Sequence, residues 1–417
     1  MFSTFFFFFV SLQILIEMQD RFSAGDDSIQ PNMHSFRAVL LAWQRAGNSE
    51  FCRLQGGEAN AAQRAQRILE WMVLLFDAGA NDLAKPDVEC FDIVMHAWSM
   101  SGHLDAARVT EGLLVWMERL YRRGNESVRP HTKSFNEVLI AWSKSSEVGA
   151  ARRAQDVLDH MQALSEEGQF CDQVKPNFLS YSAVSNAWAT SGEQCSARKA
   201  DAALKRMERA FRDGDRSLLP DTRMYNVCID AWAKRKSELK TNNRYPHESA
   251  RRILDRQMEI YEKGNAQKCR PDVYSYTSVI KACEAMSGSK RQRERVFAVA
   301  EVTFLELCQL DYASPNHVTY GTMLKACSNL LPRGSDRRQQ VVRHIFSKAC
   351  EDGYVGSMVV NRLREAASPE LFQELMGDSK KKNLPPKWTR SVPKRDKQVR
   401  MKKQWQSSPR RITELLP

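Results

Sequence analysis

Apolar residues recur along most of this chain in paired stripes. Phe135, Val138, Leu139 and Trp142 fall on one face of a helix. A polar, Gly-containing stretch at 143–149 interrupts the stripe, and a second follows at Ala154, Leu158 and Met161. The same trio stands at Ala65, Ile68/Leu69 and Met72, and again at Ala200, Leu204 and Met207. Small alanines let two helices approach closely, while Leu and Met fill the seam. The spacing predicts a helix pair.

The pair repeats seven times. Pro31, Pro86, Pro130, Pro176, Pro220, Pro271 and Pro315 are each followed five residues later by Phe or Tyr, and six and seven residues further on by Ala-Trp or Ala-Cys. The intervals between these prolines are 55, 44, 46, 44, 51 and 44 residues. Fixed spacing inside the motif with variable spacing between motifs means rigid units joined by tolerant loops. Each proline ends the incoming segment, because its ring cannot continue a helix. A pair this short cannot bury its stripe alone and must stack on its neighbours. The expected fold is therefore all-α, an α-solenoid superhelix of stacked two-helix repeats with the first helices on the concave face. Residues 31–352 would hold seven pairs. Residues 1–30, with Leu12, Ile14, Leu15 and Met18, read as a partial repeat or N-terminal cap. Residues 353–377 read as a C-terminal capping helix, or two, carrying Leu363, Leu371, Phe372 and Leu375.

Composition narrows the function. The 417 residues are 42% hydrophobic and 27% charged, the mix of a globular chain. Of the net charge of +12, residues 378–417 carry +10, leaving about +2 for the rest. That segment reads as a disordered basic tail, with a sharper alternative: an arm for phosphate backbones in which Trp388 and Trp405 stack bases. The apolar run from Phe2 to Ile16 is shorter than the roughly 20 residues of a spanning helix, so no membrane is expected. Ten cysteines form no Cys-x-x-Cys pair and read as reduced core thiols. No Gly-rich phosphate loop, His-Glu-x-x-His or His-x-Glu with Cys-x-x-Cys is present, so neither catalysis nor a cofactor nor a metal is expected. Asn125-Glu126-Ser127 matches a glycosylation sequon, a chance match in a chain without a secretory signal. Trp43, Trp98, Trp142, Trp188 and Trp232 read as core, because Cys283 and Cys327 replace them in the last two pairs.

The order Pro-Asp/Asn, Ser/Thr-Tyr/Phe, then Ala…Leu…Met resembles the pentatricopeptide repeat family over roughly residues 11–352. The pairs here are longer than that family's unit, and the extra length lies in the turn between helices and after the methionine. The resemblance implies binding of single-stranded RNA, one base per repeat. It also implies a monomer that acts without catalysis in the processing, stability or translation of RNA in a mitochondrion or plastid, alongside other proteins of an RNA-processing complex or ribosome. No clear transit peptide stands at the start. The other reading is a helical scaffold that binds protein within a ribonucleoprotein assembly.

By the same resemblance, bases are read by the residue after the first-helix aromatic together with the residue after the next proline. The matching pairs are Asn136 with Asn177 for a pyrimidine, Ser182 with Asp221 for G, Asn226 with Asp272 for U, and Thr277 with Asn316 for A. Repeats one, two and seven depart, with Arg37, Asp92 and Gly321 at the first position. A plainer duty competes at every one of these positions, since Asn, Ser, Thr and Asp near a helix start often cap it.

Overall fold

The computed structural model describes residues 2–47, 58–166, 173–235, 245–264, 266–377 and 384–393. Among these residues every regular element is helical, and the chain divides into two compact units, Met1–Ala231 and Trp232–Pro417.

The first unit opens with α1 (Phe2–Ser23), which packs on the first helix pair. The pairs are α2 and α3 (Met33–Gly47, Glu58–Asp77), α4 and α5 (Val88–Met100, Ala106–Arg122), α6 and α7 (Thr132–Lys144, Ala150–Glu166), and α8 and α9 (Phe178–Ser191, Ser196–Arg212). Helix α10 (Thr222–Ala233) closes the unit. Helices α2, α4, α6 and α8 pack in succession, each also against its own partner, which is the solenoid logic of the sequence. The aromatic of each first helix forms the seam: Phe36, Phe91 and Phe135 are fully buried. Each such ring stabilises by about 1.5–3 kcal/mol. The tryptophans are packed core. Arg64 lies 4.9 Å over the Trp43 ring and Lys199 lies 3.9 Å over Trp188.

The joint between pairs is a short 3-10 turn. Asn125 caps it by accepting from the backbone N–H of Ser127 at 3.3 Å, and Ser127 Oγ donates to the same Asn125 oxygen at 2.5 Å. Asp26 with Ser28 and Asp215 with Ser217 repeat this arrangement. The sequon-like triplet is thus a turn, entered through Gly124 at φ +96°, where a side chain would be strained.

The second unit contains α11 (Pro246–Gly264), α12 and α13 (Val273–Glu284, Lys290–Gln309), α14 and α15 (His317–Leu330, Asp336–Asp352), and α16 and α17 (Ser357–Ala366, Pro369–Met376). The capping segment, read from the sequence as a final helix or two, forms two. Ser368 caps the second by accepting from Leu371 N–H at 3.2 Å, and Pro369 stands at its first position. Buried Arg338 ties this end together. It donates to the carbonyls of Ala366 (2.7 Å), Glu365 (2.9 Å) and Leu331 (3.2 Å).

Residues 384–393 fall in the segment assigned to a disordered tail, and here the structure differs. They fold back on the last helices through α18 (Pro386–Thr389). Trp388 meets Phe346 edge-on at 5.7 Å and accepts from Val355 N–H at 2.8 Å through its carbonyl. Ser391 N–H donates to Gly353 O at 3.0 Å. Trp388 is therefore a packing anchor rather than a free stacking ring, because burying an indole against Phe346 outweighs the basic character of the residues around it. The remainder of the tail, including Trp405, lies outside the described residues.

Candidate nucleic-acid interface

Each first helix ends its incoming turn with a cap and presents the same three positions. One is the residue after the aromatic. The second is the cap of the next first helix. The third lies two residues beyond that cap. Together they make a slot between consecutive pairs.

Slot three shows how the polar groups are placed. Asn136 on α6 is 5% exposed, and its Nδ2 donates to Asn177 Oδ1 at 3.2 Å. Asn177 caps α8, its Oδ1 accepting from the N–H groups of Leu179 (3.0 Å) and Ser180 (3.2 Å). Ser180 Oγ donates to Asn136 Oδ1 at 2.6 Å. The Asn177 amide N–H groups have no bond among the described residues and remain available as donors. Leu179, the third member, is exposed.

Slot six, in the second unit, repeats the plan. Thr277 Oγ1 lies 2.8 Å from Thr319 Oγ1, and Asn316 Oδ1 accepts from Val318 N–H at 2.9 Å and Thr319 N–H at 3.1 Å. Val318 is exposed beside it. In slot four the hydroxyl that would meet Ser182 is missing, because Met224 stands at that place. Ser182 is half-buried without a hydrogen-bond partner among the described residues, and Asp221 caps α10 by accepting from Met224 N–H at 2.8 Å. Asn226 lies half-buried on α10 in the first unit. Asp272 caps α12 in the second, accepting from Ser275 N–H and Oγ at 2.9 Å each. Capping is thus a duty of Asn177, Asp221, Asp272 and Asn316.

Slots one and two hold charges paired internally. Arg37 bonds Asp87, and its Nη1 lies 2.6 Å from Glu89 Oε2. Asp92 is 1% exposed, accepts from Ser134 Oγ at 2.8 Å, and lies 3.4 Å from Lys133 Nζ and 3.5 Å from His131 Nε2. Burial pushes the Asp92 carboxyl above its usual range, against the pull of Ser134, His131 and Lys133. Slot seven holds Gly321 and Gly356. Met358 Cε lies 3.1 Å from where a Cβ on Gly321 would sit, and a Val392 methyl lies 3.2 Å from that point on Gly356.

Sequence reasoning gave no role to Ser134, Ser180, Ser275 and Thr319, all fully buried. Each precedes an aromatic and was visible only as part of the repeat. In the structure these hydroxyls support the slot residues. Among the described residues no three His, Cys, Asp or Glu side chains are placed to hold a metal, and no helix is long and apolar enough to cross a membrane.

The chain is similar to the crystal structure of the pentatricopeptide repeat protein PPR10 from maize, at 16% identity and a TM-score of 0.36 over 87% of this chain and 51% of that one. It is similar to PPR10 in complex with an 18-nt psaJ RNA element at 15% identity and a TM-score of 0.30, over 91% of this chain and 60% of that one. The chain thus spans between half and two thirds of the length of these structures. No family model and no curated protein matches the sequence.

Proposed function

We propose that this chain is a single-stranded RNA-binding protein of pentatricopeptide repeat type, that it contacts bases through slots three, four and six, and that it performs no chemistry on the RNA. The observation that carries the reading is slot three. There a buried Asn136 amide is fixed by two hydrogen bonds, the Asn177 amide keeps its donors, and Leu179 stands exposed alongside. Fixed donors address base-edge acceptors, and an exposed apolar side chain covers a base face. Slot six offers the same combination in Asn316 and Val318, and slot four offers the Ser182 hydroxyl. The pair Asn226 and Asp272 is given this work by the resemblance alone, as are a preference for particular bases, an organellar location, a role in RNA processing, stability or translation, and a monomeric state.

Binding of the full chain to a randomised single-stranded RNA pool at one fixed salt concentration tests the reading. A selected pool with defined positions supports it, and Asn136→Ala should relax one of them. A chain that retains no RNA at low salt is instead the protein-binding scaffold, whose partner would be another protein of a ribonucleoprotein assembly.

A further inference from the structure

The slots differ in what already fills them. In the first unit, slot three presents neutral amides with unused donors, and slot four holds the half-buried Ser182 hydroxyl, with Asp221 engaged as a cap and Arg223 exposed two residues beyond. Slots one and two are filled from within. The Arg37 guanidinium is taken up by Asp87, the cap of the next first helix, and by Glu89, two residues beyond. Asp92 is held from the same two positions, by an imidazole and an ammonium. His131 is the next cap and Lys133 lies two residues beyond it, both within 3.5 Å of Asp92 Oδ2, while Ser134 holds Oδ1. In both slots, the three positions that would surround a base instead pair with one another. The Asp92 side chain presents almost no surface to solvent. A base could reach its carboxylate only by removing Lys133 and leaving a buried charge unpaired.

In the second unit, slot six is open and slot seven is filled by apolar groups. Gly321 supplies no side chain, and Met358 occupies the space a side chain would take. Gly356 stands where Asp272 and Asn316 stand in the earlier first helices, and Val392 covers it. Val392 is held there by the strap 384–393. Trp388 is anchored on Phe346, the Val355 N–H donates to its carbonyl, Ser391 is bonded to Gly353 and Asp352, and Arg390 is bonded to the Glu351 carbonyl.

We propose that the chain limits its own RNA footprint by filling its outer slots with its own side chains: slots one and two with charge clamps, and slot seven with Met358 and the strap residue Val392. This rests on the RNA-binding reading above. The occupant of each closed slot is the protein itself, so the nucleotides passing those positions are held without regard to their base.

The test transplants slot three into slot two of the full chain as Asp92→Asn, His131→Asn and Lys133→Leu together. Asn at 92 can still accept from Ser134, as Asn136 accepts from Ser180, so the helix junction keeps its bond. Wild type should show no base preference at the nucleotide adjoining the one read by slot three. The transplant should gain one defined position there, of the same base as slot three, enriched about tenfold. Asp92→Ala alone should leave the wild-type pool unchanged, and this variant decides the matter if the triple variant fails its thermal melt. Trp388→Ala should lengthen the nuclease-protected RNA by about one nucleotide. The inference is overturned if wild type already enriches a base at that position and Asp92→Ala abolishes it. It is equally overturned if the folded transplant selects the wild-type pool, or if Trp388→Ala leaves protection unchanged. A wild-type chain that binds no RNA overturns the proposed function itself, a result distinct from all of these.

Discussion

Ser180 donates its hydroxyl proton to Asn136 Oδ1 across 2.6 Å, joining the N-terminus of α8 to the middle of α6. The same hydroxyl accepts from the Asn177 N–H at 3.1 Å, and Asn177 Oδ1 holds the Ser180 N–H. One buried oxygen therefore closes a capping box and fixes an amide on the neighbouring pair. Ser180→Ala leaves Asn136 Oδ1 buried without its donor, which costs about 1–3 kcal/mol. A thermal melt should show a loss of this size, together with weaker base discrimination at slot three. An unchanged melt would mean that the junction is held by apolar packing alone.

Asp92 makes stability depend on pH in a definite direction. Burial raises its folded-state pKa above the unfolded value near 3.8, so the folded chain holds the proton more tightly. Stability from this group then falls as pH rises from below 3.8 through the folded value, and is level above it. Asp92→Asn has no such proton. The difference in melting temperature, variant minus wild type, should become more positive with pH across that window and then flatten. A difference that moves the other way would mean that the His131 and Lys133 charges outweigh burial.

Arg338 should tolerate no substitution. It satisfies the carbonyls of Leu331, Glu365 and Ala366 from a buried position. Arg338→Met keeps the volume but leaves those oxygens without donors, for a loss of about 3 kcal/mol or more. Arg338→Lys should rescue little, since one ammonium cannot span the fork. Chemical denaturation of both variants checks this. Recovery with Lys would show that charge rather than geometry is what the site needs.

Cys283 and Cys327 take the place of tryptophan in the last two repeats. Burial pushes both thiols up to about 12, so almost no thiolate exists at pH 8. Iodoacetamide should label half-buried Cys195 in the native chain well before either of them, with labelling of both only on unfolding. Equal rates in the native protein would show that the second unit opens readily.

The helix pairs were legible because an aromatic and an Ala-Trp pair at constant spacing leave few ways to bury both. Capping by Asn177, Asp272 and Asn316 was legible too, since Asn and Asp after proline favour a cap wherever they stand. The hydroxyls of Ser134, Ser180 and Thr319 were not. Their partners, Asp92, Asn136 and Thr277, lie 42–44 residues away, and no local pattern registers such a contact. The strap was hidden for a different reason. Its composition is basic and proline-rich, and the packing of Trp388 on Phe346, with the backbone bonds of Trp388 and Ser391 to residues 353–355, sets its position against that average.

Slot geometry also decides how such a chain can be recombined. Each first helix carries the cap that completes the slot before it and, within five residues, the side chain that opens the slot after it, as Asn177 and Ser182 do on α8. A crossover at the proline, or in the turn between helices, pairs the opening residue of one repeat with the cap of another and yields a hybrid slot. A crossover between Ser180 and Ser182 keeps both neighbouring slots and the supporting hydroxyl intact. The natural cassette therefore runs from one aromatic to the next, out of phase with the helix pair. Chimeras joined at the aromatic should inherit the preferences of both parents, while those joined at the proline should acquire a new one at the seam.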